Sequence, residues 1–169
     1  MQQLIEHGKK FLIIGPLNLI KYKDTFPYFM KGLAWPGVNW VKSFTEPDGK
    51  VMKMGNVVWY TNLGHKKRHE FLTLTEKYDP AKYPKYDNYD AINVDKVNDI
   101  PKDYFGVMGV PITFLDKYNP EQFEIVGMLN AGNNPGYDFE KPVLNGRVIF
   151  TRLLIRRKDI GENGKTLAA

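Results

Sequence analysis

The chain has 169 residues, enough for one ordinary domain or two small lobes, and its 43% hydrophobic content excludes a disordered chain. A formal net charge of +5 permits a polyanionic partner such as nucleic acid without requiring one. With no cysteine, the sequence excludes disulfides, thiolate zinc sites and a cysteine nucleophile, and favours a reducing compartment.

A membrane partner is not expected. The longest apolar run, Phe11 to Ile14, is far too short to cross a bilayer. The amino terminus carries no signal-peptide pattern. We therefore expect a cytoplasmic protein.

The first residues predict the end of a helix and then a strand. Residues 1–8 are typical of the last two turns of a helix, with Gly8 in the left-handed position that ends it. The run KKFLIIGP, Lys9–Pro16, is typical of a central strand in a parallel sheet, covered on both faces. A parallel neighbour needs a long crossover, and no such strand comes first. We therefore expect a cut start and missing partners for the strand Phe11–Gly15.

A short helix and a hairpin come next. Residues 23–32 predict a helix that begins after a Thr25 cap and stops at Gly32. Val38–Leu63 predicts an antiparallel hairpin, because a Pro-Asp-Gly turn at 47–49 separates two runs rich in β-branched and aromatic residues.

The remainder of the chain predicts a long loop and further strands. Residues 64–106 are polar and tyrosine-rich, and their prolines indicate irregular chain, as a plain surface loop or as a binding loop. Val110–Gly127 predicts strand, turn and strand, with Asn119 capping the turn. Arg147–Lys158 predicts a final strand, and residues 159–169 a frayed tail.

The stretch GHKKRHE, residues 64–70, places two histidines four residues apart. Zinc proteases need Glu directly after the first His, where this chain has Lys66, and the neighbouring cations would repel a dication. The residue order and the local charge therefore argue against a metal site. Two interpretations stay open: a solvated basic turn after a strand, or a turn that binds phosphates through the hydrogen-bond donors of residues 65–69.

A second basic cluster lies on the final predicted strand. Its members are Arg147, Arg152, Arg156, Arg157 and Lys158. With a period of two, Arg152 and Arg156 share one face and Arg157 lies on the other. This mixture indicates either one face on a core and one on a charged partner, or an edge strand protected by charge.

Several long stretches resemble one enzyme family, the adenine-specific DNA methyltransferases of the EcoRI modification-enzyme type. In chain order they are KKFLIIGPLNLI, GNVVWYTNLGHKKRHE, KYPKYDNYDAINVDKVNDIP, GVMGVPITFLDKYNPEQFEIVG and RLLIRRK. The resemblance runs from Gln3 to Lys158 and implies methyl transfer from S-adenosylmethionine to N6 of adenine in double-stranded DNA. It also implies a Rossmann-like sheet that ends in an antiparallel hairpin.

The two motifs that define this family, a glycine-containing cofactor loop and an Asn-Pro-Pro-Phe tetrapeptide, are absent. The chain therefore resembles the carboxy-terminal half. The expected fold class is α/β, with residues 1–63 as the end of a Rossmann-like core and 64–158 as a mixed, loop-rich β region for target recognition. We expect no catalytic, cofactor-binding or metal-binding residue here. We expect the missing amino-terminal half, from the same or an adjacent gene, as a partner.

The resemblance also suggests roles for individual residues. Trp59 or Tyr60 would stack on a flipped adenine, unless it is a core aromatic residue. The residues expected at the DNA backbone are His65, Lys66, Lys67, Arg68, Arg152, Arg156 and Arg157. The expected base-reading residues are Asn130, Asn133, Asn134 and Arg147. His69 would be a neutral neighbour, with Glu70 orienting one of the cations.

Three functional hypotheses follow. The first is a carboxy-terminal portion of an adenine-N6 DNA methyltransferase that is inactive alone and contributes to DNA binding and target recognition. The second is a stand-alone, non-catalytic DNA-binding or interaction protein derived from such an enzyme. The third is another enzyme class, such as a metal hydrolase. The apolar edge at Phe11–Gly15 predicts self-association of the isolated chain.

Overall fold

The computed structural model describes residues 1–159, so the predicted frayed tail lies outside the described residues except for Asp159. The chain divides into two compact units, Met1–Lys67 and the part from Arg68 onward. Strands and a few short helices make up both units, which gives an α/β protein. Within residues 1–159, no helix is long and apolar enough to cross a membrane.

The first unit is a three-stranded sheet with short helices. Its elements are α1 (Gln2–Glu6), β1 (Leu12–Pro16), a 3₁₀ helix (Leu17–Lys21), α2 (Phe26–Met30), β2 (Trp35–Thr45) and β3 (Val51–Thr61). The left-handed Gly8 after α1 is confirmed, with a φ of 62°. Thr25 precedes α2 as predicted, but its hydroxyl donates back to the carbonyls of Leu19 and Tyr22 instead of capping the helix.

The predicted hairpin is confirmed as β2 and β3. Its turn closes locally, because Gly49 adopts a left-handed φ of 86° and the amide of Lys50 donates to the Asp48 carboxylate at 3.0 Å. The sheet order is β1-β3-β2 and every pair is antiparallel. The hairpin therefore supplies the neighbour of β1.

The strand at Leu12–Pro16 is confirmed, but one partner that was expected to be missing is present. The strand pairs antiparallel with β3 within this chain, and it lies at one edge of the sheet. Leu12 is 56% exposed and Ile14 42% exposed, so one face is uncovered. An apolar run in the sequence does not show whether other residues of the same chain cover both faces of the strand or leave one face exposed.

The core of the first unit lies on the other face of this sheet. Ile20, Phe26, Phe29 and Tyr60 are all completely or almost completely buried there. The rings of Phe29 and Tyr60 lie 5.4 Å apart in a tilted arrangement. The two short helices between β1 and β2 thus cover one face only.

The second unit is built around a mixed five-stranded sheet. In the described residues, the strands of this unit, five in the sheet and two in a separate hairpin, are β4 (Ile92–Asn93), β5 (Val107–Pro111), β6 (Phe123–Leu129), β7 (Asp138–Phe139), β8 (Val143–Leu144), β9 (Arg147–Val148) and β10 (Arg152–Arg157). The sheet order is β4-β5-β10-β6-β7, and β8 and β9 form a separate hairpin. Of the predicted strand, turn and strand at Val110–Gly127, the turn at 119–122 and the second strand, β6, are confirmed, but the first strand, β5, ends at Pro111 and a 3₁₀ helix (Ile112–Lys117) follows it. Asn119 caps the turn by accepting from the Glu121 amide at 2.8 Å.

The final strand is central, and both expectations for it were wrong. β10 pairs antiparallel with β5 on one side and β6 on the other, so it is not a charge-protected edge. Leu153, Leu154 and Ile155 are all fully buried, so both faces of the strand's middle are covered. The arginines that made its faces look mixed lie at its two ends.

The tyrosine-rich segment 64–106 is mostly irregular, as predicted, and it is packed. Tyr83 donates to the carbonyl of Asp99 at 2.7 Å, and Tyr86 donates to the Asn93 side chain at 2.8 Å. Both rings are almost fully buried. The tyrosines therefore fix the loop through their hydroxyls, which explains how a polar segment without regular structure stays ordered.

Candidate functional site

Tyr60 and Trp59 are neighbours on β3 and point to opposite faces of the sheet. Tyr60 is fully buried, and its hydroxyl donates to the carbonyl of Pro16 at 2.9 Å. Burial raises the pKa of the Tyr60 phenol. Tyr60 is thus a core residue of the first unit, and only the Trp59 ring lies towards the uncovered face.

Trp59 is half-buried and lies between two cavities on that face. The first cavity measures about 330 Å³, and its other lining residues are Leu12, Gly37, Val38, Asn39, Thr61, Leu63, Gly64 and His65. The second measures about 560 Å³, and its other lining residues are Ile14, Asn39, Trp40, Val41, Lys42, Ser43 and Phe44. Gly37 allows this geometry, because a Cβ there would lie 2.9 Å from the Trp59 Cβ. The flat ring thus has open space on the uncovered side of the sheet.

The strand register fixes where these groups lie along β1. Thr61 pairs with Leu12 at the amino end of β1, and Val57 pairs with Pro16 at its carboxyl end. Trp40 lies opposite Val58, level with the carboxyl end, and Phe44 lies farther along β2. Sequence reasoning missed Trp40 and Phe44, although their place in the first hairpin strand was a signal for them.

The basic turn GHKKRHE follows β3 and therefore leaves the sheet at the amino end of β1. A 3₁₀ helix, Lys66–His69, forms there. His65 lies with Nε2 3.0 Å from the carbonyl of Pro36, and Nε2 must donate because a carbonyl only accepts. Lys67 donates to the Val38 carbonyl at 3.1 Å, whereas Lys66 is exposed. Of the two lysines of the turn that belong to the first unit, Lys66 is thus the more exposed to solvent.

The following two residues belong to the second unit. Arg68 is partly buried, and burial lowers its pKa, partly offset by the Tyr118 phenol beside it. His69 Nδ1 lies 3.1 Å from a carboxylate oxygen of Glu121, and both side chains are more than half exposed. The carboxylate beside His69 is thus that of Glu121, a residue that sequence reasoning did not single out.

The arginines of β10 all contact residues of the second unit. The pairs are Arg152 with Asn93 and Asp95, Arg156 with Glu124, and Arg157 with the ring of Phe105. The Arg152 side chain is only 12% exposed. Arg152 therefore stabilises the sheet end, while Arg156 is about half exposed.

Three of the four expected base-reading residues share one loop. Asn130 accepts from the Thr151 hydroxyl at 2.9 Å, and Asn134 accepts from the Gly136 amide at 2.9 Å. The buried Asp138 carboxylate organises this loop by accepting from the amides of Ala131 and Asn133. The fourth, Arg147, lies on the separate β8–β9 hairpin and is exposed.

Comparison with protein-family models decides the family. The model for the adenine-specific methyltransferase EcoRI matches residues 1–158 of the 169-residue chain. The chain belongs to the EcoRI adenine-specific methyltransferase family. No solved structure shows a significant match.

Curated relatives agree with this family. The chain is 42% identical to the type II methyltransferase M.EcoRI of Escherichia coli, in a match covering 94% of the chain and 53% of the relative. It is 39% identical to M.MgeORF184P of Mycoplasma genitalium and 37% identical to M.MpnI of Mycoplasma pneumoniae, with 75% of the chain and 46% of each relative covered. The chain thus spans about half the length of these relatives.

The two cavities beside Trp59 do not fit the cofactor S-adenosylmethionine. Neither lining contains an aspartate or glutamate. A carboxylate is the usual acceptor for ribose hydroxyls in nucleotide-binding α/β folds. The rings of Trp40, Phe44 and Trp59 in the second lining are better suited to a flat ring.

Proposed function

We propose that this chain is the carboxy-terminal portion of an S-adenosylmethionine-dependent DNA adenine-N6 methyltransferase of the restriction-modification type. In this role it contributes to DNA binding and target recognition, and it is inactive alone. The family match over residues 1–158 carries the proposal. The lack of a Pro-Pro dipeptide supports the inactivity, because the family's tetrapeptide that holds the adenine amino group requires one.

The uncovered face and open edge of β1 support a missing neighbour. Leu12 and Ile14 expose apolar surface on a strand that, within residues 1–159, pairs only with β3. Such an edge is a template for a further strand. In this proposal the first unit completes a Rossmann-like sheet, and the other half of the enzyme supplies the next strand, the cofactor site and the tetrapeptide.

The target adenine would stack beside Trp59. Ligands of α/β sheets bind outside the carboxyl ends of the strands. Trp40 and Phe44 lie at or beyond the carboxyl end of β1 and share a cavity with Trp59. All three are candidates for the ring that supports a flipped base, and stacking on one ring contributes about 1–3 kcal/mol.

The basic turn would contact the DNA backbone away from the adenine. It leaves the sheet at the opposite end from Trp40 and Phe44. Its residues Gly64 and His65 line the first cavity beside Trp59, but no residue of the turn lines the second cavity. Phosphate contacts of this kind position the duplex and carry no sequence information. Asn130, Asn133, Asn134 and Arg147 remain the proposed base-reading residues.

A methyl-transfer assay tests the proposal. The isolated chain, labelled S-adenosylmethionine and duplex DNA should yield no labelled DNA, whereas the full-length Escherichia coli relative under the same conditions is the positive control. Transfer by the isolated chain would contradict the proposal. An in-frame Asn-Pro-Pro-Phe codon run upstream of the Met1 codon, or in an adjacent gene, distinguishes half of an enzyme from a stand-alone DNA-binding protein.

A salt titration tests the backbone contacts. We expect Lys66→Ala to reduce the slope of log affinity against log salt by roughly 0.9, the value for one lost phosphate contact. Replacing Lys66, Lys67 and Arg68 together should reduce it by roughly 3 if all three bind phosphates. The exposed Lys96, changed to Ala, is the single-charge control. Equal slopes for Lys66→Ala and Lys96→Ala would contradict a contact between the basic turn and the DNA backbone.

A further inference from the structure

The β8–β9 hairpin exposes large apolar side chains. Val148 is 63% exposed, and Phe150, just after the hairpin, is 88% exposed. Between them, Ile149 packs with Leu144 against the buried cluster around Tyr86 and Leu154. The backbone is therefore anchored by Ile149 before the outward-pointing phenylalanine ring and by the pairing of β10 after it.

The tip of this hairpin is held in one conformation. Asn145 and Gly146 both have positive φ, 50° and 71°, the combination that a tight two-residue hairpin turn requires. Asp87 accepts from both turn amides, at 3.3 Å from Asn145 and 2.7 Å from Gly146. A single carboxylate thus fixes the turn by accepting from both of its amides.

The base of the hairpin is also fixed. Asn88 accepts from the Val143 amide at 3.0 Å and donates to the Lys141 carbonyl at 2.9 Å. The Ile149 amide donates to the Pro142 carbonyl at 2.9 Å. A hairpin held at its tip and base loses little further freedom on binding, so its exposed ring is pre-organised.

Two cationic side chains, Lys141 and Arg147, are exposed on this hairpin. The nearby acidic groups are the exposed Glu140 and the Asp87 carboxylate, which accepts from the turn amides. A rigid hairpin that carries a bare aromatic ring and two exposed cations matches the elements that insert an apolar side chain between base steps while cations contact phosphates. Duplex DNA offers stacked bases to the ring and phosphates to the two cations.

We propose that Phe150 is a wedge that enters the base stack of duplex DNA, with Arg147 and Lys141 at the flanking phosphates. The inference rests on the proposed function, because it requires that the chain bind DNA. The wedge separates two stacked base pairs and kinks the duplex. Unstacking of this kind reduces the free energy needed to extrude a neighbouring base.

End-labelled duplexes test the wedge by energy transfer between the two ends. The intact chain should bend an intact duplex, and Phe150→Ala should bind without bending it. We expect Phe150→Ala to weaken binding to the intact duplex by about tenfold, and to a duplex already unstacked at an abasic site by less than about threefold. Circular dichroism checks the fold, which an 88% exposed side chain does not support.

Two variants serve as controls. Phe150→Leu keeps an apolar wedge and should retain bending, whereas Phe71→Ala removes another exposed ring, 48% exposed, and should leave bending unchanged. If Phe150→Ala binds and bends like the parent chain, or weakens both duplexes equally, the wedge is overturned while DNA binding stands. If the parent chain binds no duplex, the proposed function is overturned and the wedge with it.

Discussion

Tyr86 connects the buried polar groups of the second unit. Its hydroxyl donates to Asn93 Oδ1 at 2.8 Å, and the same oxygen accepts from Arg152 Nε at 3.2 Å. Asn93 in turn donates to Asp95 at 2.8 Å. Burial raises the pKa of Tyr86, and the opposing effect of Arg152 is smaller. This network stabilises the sheet end only while the phenol keeps its proton.

The raised pKa of Tyr86 predicts a loss of stability at high pH. An unfolded tyrosine ionises near pH 10, while the folded one holds its proton to higher pH. Above about pH 10 the unfolded state therefore binds fewer protons than the folded state, and the free energy of unfolding falls as pH rises. Urea unfolding between about pH 8 and 11 measures this slope. Tyr86→Phe should have a shallower slope, and an identical slope would contradict the assignment.

At the level of elements, β5 and the tyrosine-rich loop meet at one glycine. A Cβ on Gly109 would lie 2.2 Å from the Tyr86 hydroxyl and 2.7 Å from its ring. Tyr86 is only 5% exposed, so the ring has no free space in which to move. Gly109 is thus required by the close approach of the loop to the strand.

Gly109→Ala is therefore expected to destabilise the second unit by about 1–3 kcal/mol through overpacking. The matched control is Gly64→Ala, because a Cβ at Gly64 meets nothing within 4 Å. Urea denaturation of both variants measures the difference. If the two substitutions cost the same, the contact between Gly109 and Tyr86 is not what limits this position.

Local sequence signals predicted the secondary-structure elements, whereas the order of the strands in the sheets could not be predicted from them. The hairpin was predictable because its turn residues, 47–49, specify it without help from distant chain. The central place of β10 was not, since its partners lie far away in sequence and its terminal arginines imitate an edge strand. In the candidate site, alternation predicted that Trp59 and Tyr60 face opposite ways, but only packing decides which face is covered.

For the whole molecule, the open edge of the first unit has a measurable effect. Leu12 and Ile14 form an apolar strip on an edge strand, the arrangement that favours association between chains. We expect the isolated chain to self-associate with increasing concentration. Sedimentation or light scattering measures this association.

Ile14→Lys should reduce that association, because a lysine on an edge strand opposes pairing with another chain. Leu33→Lys is the control, since Leu33 is 44% exposed, similar to Ile14 at 42%, but lies outside the strand. Equal association of the two variants would place the contact elsewhere on the protein.

The central position of β10 also bears on how the chain is synthesised. β5 and β6 emerge from the ribosome before β10, the strand that lies between them in the folded sheet. Until Arg157 has left the exit tunnel, two strands with fully buried native residues have no partner on their inner sides. The second unit therefore completes its sheet only after β10 has emerged, and until then the inner edges of β5 and β6 stay open to association with other chains.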